Sequence, residues 1–210
     1  MMIEIINRSV VPYRIAESWQ RELAEKRHRD EIPNTLLLLE HPSVFTIGRR
    51  ESDEDLLVPR ERLTQEGIEL VKTDRGGRIT YHGPGQLVGY FIFRLKGSIP
   101  EFVRNVEELV IRLLDSYGLK GERDPKYPGV WVGHKKISAL GLHFEHGISR
   151  HGFALNVDCN LKPFGYIHPC GIQDRTVTSM EQELEQSVSM EEVRERIRSY
   201  AASLLSGSFS

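Results

Sequence analysis

The stretch from Gly129 to Asp158 constrains this chain most, because it reads as strands joined by tight turns. Val130 and Val132 alternate with their neighbours, Ile137 to Phe144 is a longer apolar-rich run, Glu145-His146-Gly147 is a turn, and Gly152 to Val157 returns. Strands joined by so few residues pair antiparallel, since a parallel return needs a crossover of about a dozen residues or more.

Helices are available to cover such a sheet. Pro100 opens the strongest one, with Phe102, Val103, Val106, Leu109, Val110, Leu113, Leu114 and Tyr117 on one face and Gly118 placed to stop it. Pro12 opens another, carrying Tyr13, Ala16, Trp19 and Leu23 at helical spacing, and the charged run from Arg21 to Glu31 is predicted to end it. Near the other end, Thr178 with Glu181 and Ser189 with Glu192 have the spacing of a reciprocal N-terminal cap. The second of these helices presents Val193, Ile197, Tyr200 and Leu204.

Between the helices, Thr35–Glu40 and Val44–Gly48 read as strands, and the His41-Pro42 turn between them predicts a hairpin. Ile68–Lys72 and Gln86–Leu95 are further strands. Glu51 to Arg62 is mostly charged and is expected to be irregular apart from Leu56-Leu57-Val58. Arg75 to Gly85, with four glycines and a proline, is expected to be a loop. The sum is an α+β fold, a mostly antiparallel or mixed sheet flanked by helices, in a single domain over residues 1–210.

Composition excludes several partners. A length of 210 residues suits one domain, and a net charge of −2 with mixed signs gives no basic stripe for nucleic acid. The longest apolar runs, Leu36–Leu39 and Leu87–Phe93, are too short to cross a bilayer, and Met1 to Val10 lacks a secretory pattern. Two cysteines make neither a disulfide scaffold nor a zinc pattern. A cytoplasmic monomer with no membrane partner is the expectation.

Four features point to chemistry. Cys170 lies in Pro169-Cys170-Gly171-Ile172, a framing that no helix or strand interior accepts, so its thiol is expected on a turn. Cys159, at a strand end in Asn156-Val157-Asp158-Cys159, reads as structural. Lys136 precedes an apolar strand, and an ammonium within about 4–6 Å of a thiol favours thiolate. Lys135 points to the other side of that strand, and spacing alone does not choose between the two. The segment from Arg75 to Gln86 is neither a Walker loop nor a dinucleotide fingerprint, but its paired glycines let backbone approach a ligand. His41, His82 and His151 each sit at a turn near a strand end, and His82 rivals Lys136 as the activator of a thiol.

These motifs resemble the lipoyl(octanoyl) transferases. The likeness runs through His41-Pro42-x-Val44-x-Thr46-x-Gly48-Arg49 and Arg75-Gly76-Gly77-x-x-Thr80-Tyr81-His82-Gly83-Pro84-Gly85-Gln86-x-x-x-Tyr90. It continues through Lys136-Ile137-x-Ala139-Leu140-Gly141, His151-Gly152-Phe153-Ala154-Leu155-Asn156-Val157 and Pro169-Cys170-Gly171-Ile172, so it covers about residues 30 to 180 in unbroken order. The resemblance implies the fold of biotin and lipoate protein ligase catalytic domains. It implies transfer of octanoyl from octanoyl-acyl-carrier protein to a lysine on lipoyl domains of 2-oxoacid dehydrogenase subunits or the glycine-cleavage H protein. Cys170 would carry the acyl-thioester and Lys136 would lower its pKa and handle protons. By motif position Arg75, Gly76, Gly77, Arg78, Ile79, Thr80, Tyr81, His82, Ala139, Leu140, Gly141, Gly152, Phe153 and Ala154 would line the acyl pocket, with no metal, nucleotide or other cofactor. Arg49, Arg50 and Arg78 are expected contacts for an acidic carrier. The rival readings are an ATP-dependent lipoate or biotin ligase, a non-catalytic carrier-binding module, and a thioesterase.

Overall fold

The structure is a computed structural model that describes residues 3–50, 55–168 and 176–207, the last four by backbone alone. Its largest element is a mixed sheet. From one edge inward it runs through β1 (Ile3–Val10), β2 (Asn34–Glu40), β6 (Gln86–Ile92), β10 (Ile148–Asn156), β9 (Lys135–Glu145), β8 (Gly129–Val132) and β7 (Glu122–Arg123). The short β11 (Thr176–Val177) adds beside the start of β9. Pairing is antiparallel throughout except for β1 with β2 and β11 with β9. A second sheet has β4 (Glu69–Lys72), β3 (Val44–Ile47) and β5 (Ile79–His82), in that order.

The strand-and-turn segment forms as its sequence predicts. Its central hairpin joins β9 to β10 around His146 and Gly147, both at positive φ. The helix opened by Pro100 is α3 (Ile99–Asp115), which Ser98 starts by accepting from the Glu101 N–H at 3.3 Å. Gly118 sits at φ 79 just beyond its end, where a side chain would be strained. The buried stripe of α3 and that of α5 (Met190–Gly207) close over Leu36, Leu38, Leu87, Phe91 and Leu155 to form the main core.

Four readings need correction. The strands β2 and β3 do not form a hairpin. Leu36 to Leu39 are buried on both faces, so β2 is interior and takes β1 and β6 as neighbours, while β3 leaves for the second sheet. The glycine-rich segment is not all loop: residues 79–82 alternate, so Ile79 and Tyr81 enter a satellite core with Phe45 and Phe164 while the backbone pairs with β3. The charged run does not stop α1 (Tyr13–His28), which continues to a basic last turn that suits the helix dipole. Finally, α4 (Met180–Leu184) is capped by Ser179 rather than Thr178, its hydroxyl accepting from the Gln182 N–H at 3.2 Å. Ser189 accepts from the Glu192 N–H as its spacing predicts. Within the charged stretch, α2 (Arg60–Gln65) starts after Pro59, and β1 was not read from the sequence.

Candidate active site

The second sheet and α1 cover one face of the large sheet, and a narrow cavity of about 40 Å³ lies between them. Alternation brings Thr80 with His82 from β5 and Val88 with Tyr90 from β6 to this cavity, while the consecutive residues Ala139 to Gly141 of β9 and His151 to Ala154 of β10 border it. Tyr13 closes the α1 side, and Arg75 and Gly77 supply the loop side. A wider cavity of about 430 Å³ adjoins it and is lined by Lys136, Gly76, Gly77, Arg78, Arg50, Leu140, Gly141 and Leu142, among others. The two share Gly77, Leu140 and Gly141, so the glycine loop and the β9 backbone, which touch each other, form the border between them.

Backbone proximity explains the glycines at that border. β8 pairs with β9 only as far as Ala139, and the glycine loop covers the strand beyond, with the Gly76 N–H donating to the Leu142 carbonyl at 2.9 Å. A Cβ on Gly141 would stand 2.9 Å from the Gly76 oxygen and 3.3 Å from Arg75 Cδ, tighter than real contacts allow. Arg75 is pinned in place, with Nε and Nη2 donating to the Thr46 hydroxyl at 3.0 and 2.9 Å, and Nη2 also to the Thr46 carbonyl at 2.6 Å.

Lys136 is 6 % exposed and belongs to the wider cavity. Its Nζ donates to the Pro128 carbonyl at 3.2 Å and lies 4.8 Å from the centre of the Trp131 ring, a cation–π contact. Lys135 is exposed and pairs with Glu183 at 2.9 Å, so the structure separates the two lysines that spacing left open. Cys170 lies outside the described residues. The chain after it resumes at Thr176, where β11 pairs with Lys135 and Lys136 and the Thr178 N–H donates to the Lys136 carbonyl at 3.0 Å.

The sequence-predicted lining residues divide in three. Arg75, Gly77, Thr80, His82, Ala139, Leu140, Gly141, Gly152, Phe153 and Ala154 line the narrow cavity. Gly76 and Arg78 line the wider one, where Arg78 also pairs with Asp55 at 2.6 Å. Ile79 and Tyr81 line neither, since their side chains point into the satellite core. Tyr13, Val88, Tyr90 and Trp131 were missed. Tyr90 stands at the end of the glycine motif and could have been read there; nothing local in the sequence ties Tyr13 to residues so far along the chain.

The three candidate histidines, His41, His82 and His151, are buried. Burial lowers His41 to about 4, and its ring bridges the Val11 carbonyl and the Tyr90 hydroxyl at 2.6 and 2.7 Å. Burial, then the neighbouring His41, lower His82, whose ring nitrogens meet Gln86 at 2.7 Å and Thr46 at 3.3 Å. His82 therefore has both nitrogens engaged and faces the narrow cavity rather than the one Lys136 lines. His151 is lowered by burial against the opposing pull of Asp74, to which its Nε2 is bonded at 2.8 Å. Asp74 is held far below the usual carboxylate range, first by that bond and then by Arg150 at 2.6 Å. Cys159 is pushed up to about 12 by burial, which suits an inert thiol. Glu17, Asp74 and His151 have ligand atoms within 4.8 Å of one another, but Asp74 already serves His151, Arg150 and Arg21. That crowd of donors is a poor setting for a cation.

Residues 12–202 match the family model of the lipoyl protein ligase A/B catalytic domain. An octanoyltransferase of Rubrobacter xylanophilus is 50 % identical over 193 residues, covering 90 % of this chain and 86 % of that protein. One of Alkaliphilus metalliredigens is 45 % identical over 204 residues, covering 95 % and 94 %. Among solved structures, a lipoate-protein ligase A bound with ATP superposes with a TM-score of 0.75 at 19 % identity, covering 98 % of this chain and 86 % of that one. The biotin protein ligase of Aquifex aeolicus with biotin and ATP gives 0.63 at 13 %, covering 98 % and 72 %. The last two speak for the fold alone. Family match and sequence identity agree: the chain belongs to the lipoyl protein ligase A/B catalytic-domain family, on its octanoyltransferase branch.

Proposed function

We propose that this octanoyltransferase works as one catalytic domain over residues 1–210 and carries its acyl group on Cys170. Lys136 is the cation that favours the thiolate. The thiolate attacks the carbonyl of an octanoyl thioester presented by acyl-carrier protein. A new carbon–sulfur bond forms to Cys170, the bond to the carrier sulfur breaks, and Lys136 donates the proton that the carrier thiolate takes up. The neutral amine of a lipoyl-domain lysine then attacks the Cys170 thioester; the carbon–sulfur bond breaks, the amide forms, the cysteine leaves as thiolate, and Lys136 takes up the amine's proton and is again a cation. Thioester exchange is nearly balanced, whereas amide formation drives the sequence forward. The lipoyl domains of 2-oxoacid dehydrogenase subunits and the glycine-cleavage H protein are the acceptors this reading names.

The observation that supports it best is the setting of Lys136. Its ammonium is buried on the wall of a cavity that borders a second, narrower cavity along Gly77, Leu140 and Gly141. A cation so placed acts where water is scarce, so its effect on a nearby thiol is strong. The narrow cavity takes the acyl chain, and the wider one takes what the chain is attached to. Monomeric, cytoplasmic action is part of the same reading; no helix among the described residues is long and apolar enough to cross a membrane.

Incubation with octanoyl-acyl-carrier protein, followed by intact mass and peptide mapping, tests this directly. The expected result is one octanoyl adduct on Cys170 that hydroxylamine removes. A Cys170→Ser variant that transfers at the full rate would overturn the thioester step. Attachment of free lipoate that requires ATP would instead favour the ligase reading.

A further inference from the structure

The narrow cavity is lined by many polar side chains for a site that receives a hydrocarbon. Most of their polar atoms are turned to one another. The Tyr13 hydroxyl donates to Thr73 at 3.1 Å, the Tyr90 hydroxyl meets His41, and both His82 nitrogens are engaged. Rings satisfied in this way present carbon to the cavity. Among the described residues lining it, one exception stands out: Nδ1 of His151 is buried and has no hydrogen-bond partner. The residue is 1 % exposed, so it is out of reach of bulk solvent.

Its chemistry follows from the other ring nitrogen. Asp74 stays ionised and accepts from Nε2, so the proton of the neutral ring is on Nε2. Nδ1 is then a bare lone pair, an acceptor that waits for a donor. Its position along the cavity also matters. In the β9–β10 register His151 stands opposite Leu142, six residues along β9 from Lys136. His151 therefore stands toward the end remote from Lys136.

Building on the transferase reading, we propose that this site also accepts medium-chain acyl groups bearing a hydroxyl at their distal end, with His151 Nδ1 accepting the hydroxyl hydrogen bond. His151 is in this account a specificity-determining residue. A site with a reserved acceptor compensates the desolvation of a hydroxyl that a purely apolar cavity would reject.

The test compares the kcat/KM of octanoyl and terminally hydroxylated octanoyl thioesters of the same carrier, in the unmodified protein and in His151→Asn and His151→Phe variants. Asparagine tolerates the positive φ of 61 at this position and holds its amide short of the cavity; phenylalanine fills the space without an acceptor. The hydroxylated substrate is expected within about threefold of octanoyl in the unmodified protein, and that ratio is expected to fall about tenfold in both variants. Because each variant is judged on a ratio, a general loss of stability does not imitate the result. Nitrogen NMR supplies a second reading: the unprotonated Nδ1 resonance of His151 should move upfield with the hydroxylated chain and not with octanoyl. Equal discrimination against the hydroxyl with and without His151, while octanoyl is still transferred, would overturn the subsite alone. If neither thioester turns over, the transferase reading falls, and the NMR measurement with the free hydroxylated acid still decides the subsite.

Discussion

The two faces of the large sheet are built on different principles. One is sealed by α3 and α5 over an unbroken apolar core of Leu, Val, Ile and Phe. The other meets α1 and the small sheet through histidines, tyrosines and a buried arginine, most of whose polar atoms are paired among themselves. The first gains most of its stability from apolar burial, where volume and shape decide, with Glu107 and Arg194 as buried, hydrogen-bonded exceptions. The second holds a cavity open, and it does so with groups whose hydrogen bonds fix each side chain in direction as well as position. The apolar core and the polar-lined narrow cavity are thus separated by a single layer of strands, while the wider cavity of Lys136 is also lined by Ile99 and Val103 of α3.

The sharpest way to break that separation is at the catalytic end. Lys136→Met should lower the transfer rate about a hundredfold or more while thermal unfolding shifts little, as expected for a group that acts on charge. Unfolding that moves as far as activity would show Lys136 to be structural. On the helix-covered face the reverse is expected. Leu113→Ala removes a fully buried side chain from α3 and should cost about 3 kcal/mol in urea denaturation, with transfer per folded molecule unchanged.

Acid probes the histidine-lined face. His41 has an ordinary pKa of 6.5 and a folded value of about 4, so the unfolded chain takes up the proton first. Its contribution is fully present above about pH 6.5 and is lost as pH falls toward 4, a difference of about 3 kcal/mol. His82 and His151 shift in the same direction and add to the slope. Asp74, held low, adds a further loss only when pH drops below the ordinary carboxylate value. A urea midpoint that stays flat between pH 6.5 and 4 would refute this account. The smallest effect separates local from global structure: Ser98→Ala should cost about 1 kcal/mol by removing the α3 cap, with no change in acyl transfer.

What could be read from the sequence follows the same division. The apolar stripe of α3 and the β9–β10 hairpin were legible because each obeys one local period, and both formed as read. The pairing of β2 was not, because a strand buried on both faces carries no sign of which partners flank it; its true neighbours, β1 and β6, begin 31 residues before it and 52 after it. In the site, Lys136 and the glycine loop could be named from their motifs, whereas Tyr13, Trp131 and the inward or outward facing of Ile79 and Tyr81 depend on the assembled sheets. Alternation along 79–82 held the signal for the last pair, once that segment was known to be a strand.

The glycine loop that borders both cavities also lies along β9 beyond Ala139, joined there by the Gly76 hydrogen bond to Leu142. An uncovered stretch of strand invites another chain to pair with it, and a short irregular segment laid across it prevents that. The border between the two cavities is therefore a seam where two layers abut, and the backbone that forms it is the same piece that shields the strand from neighbouring molecules.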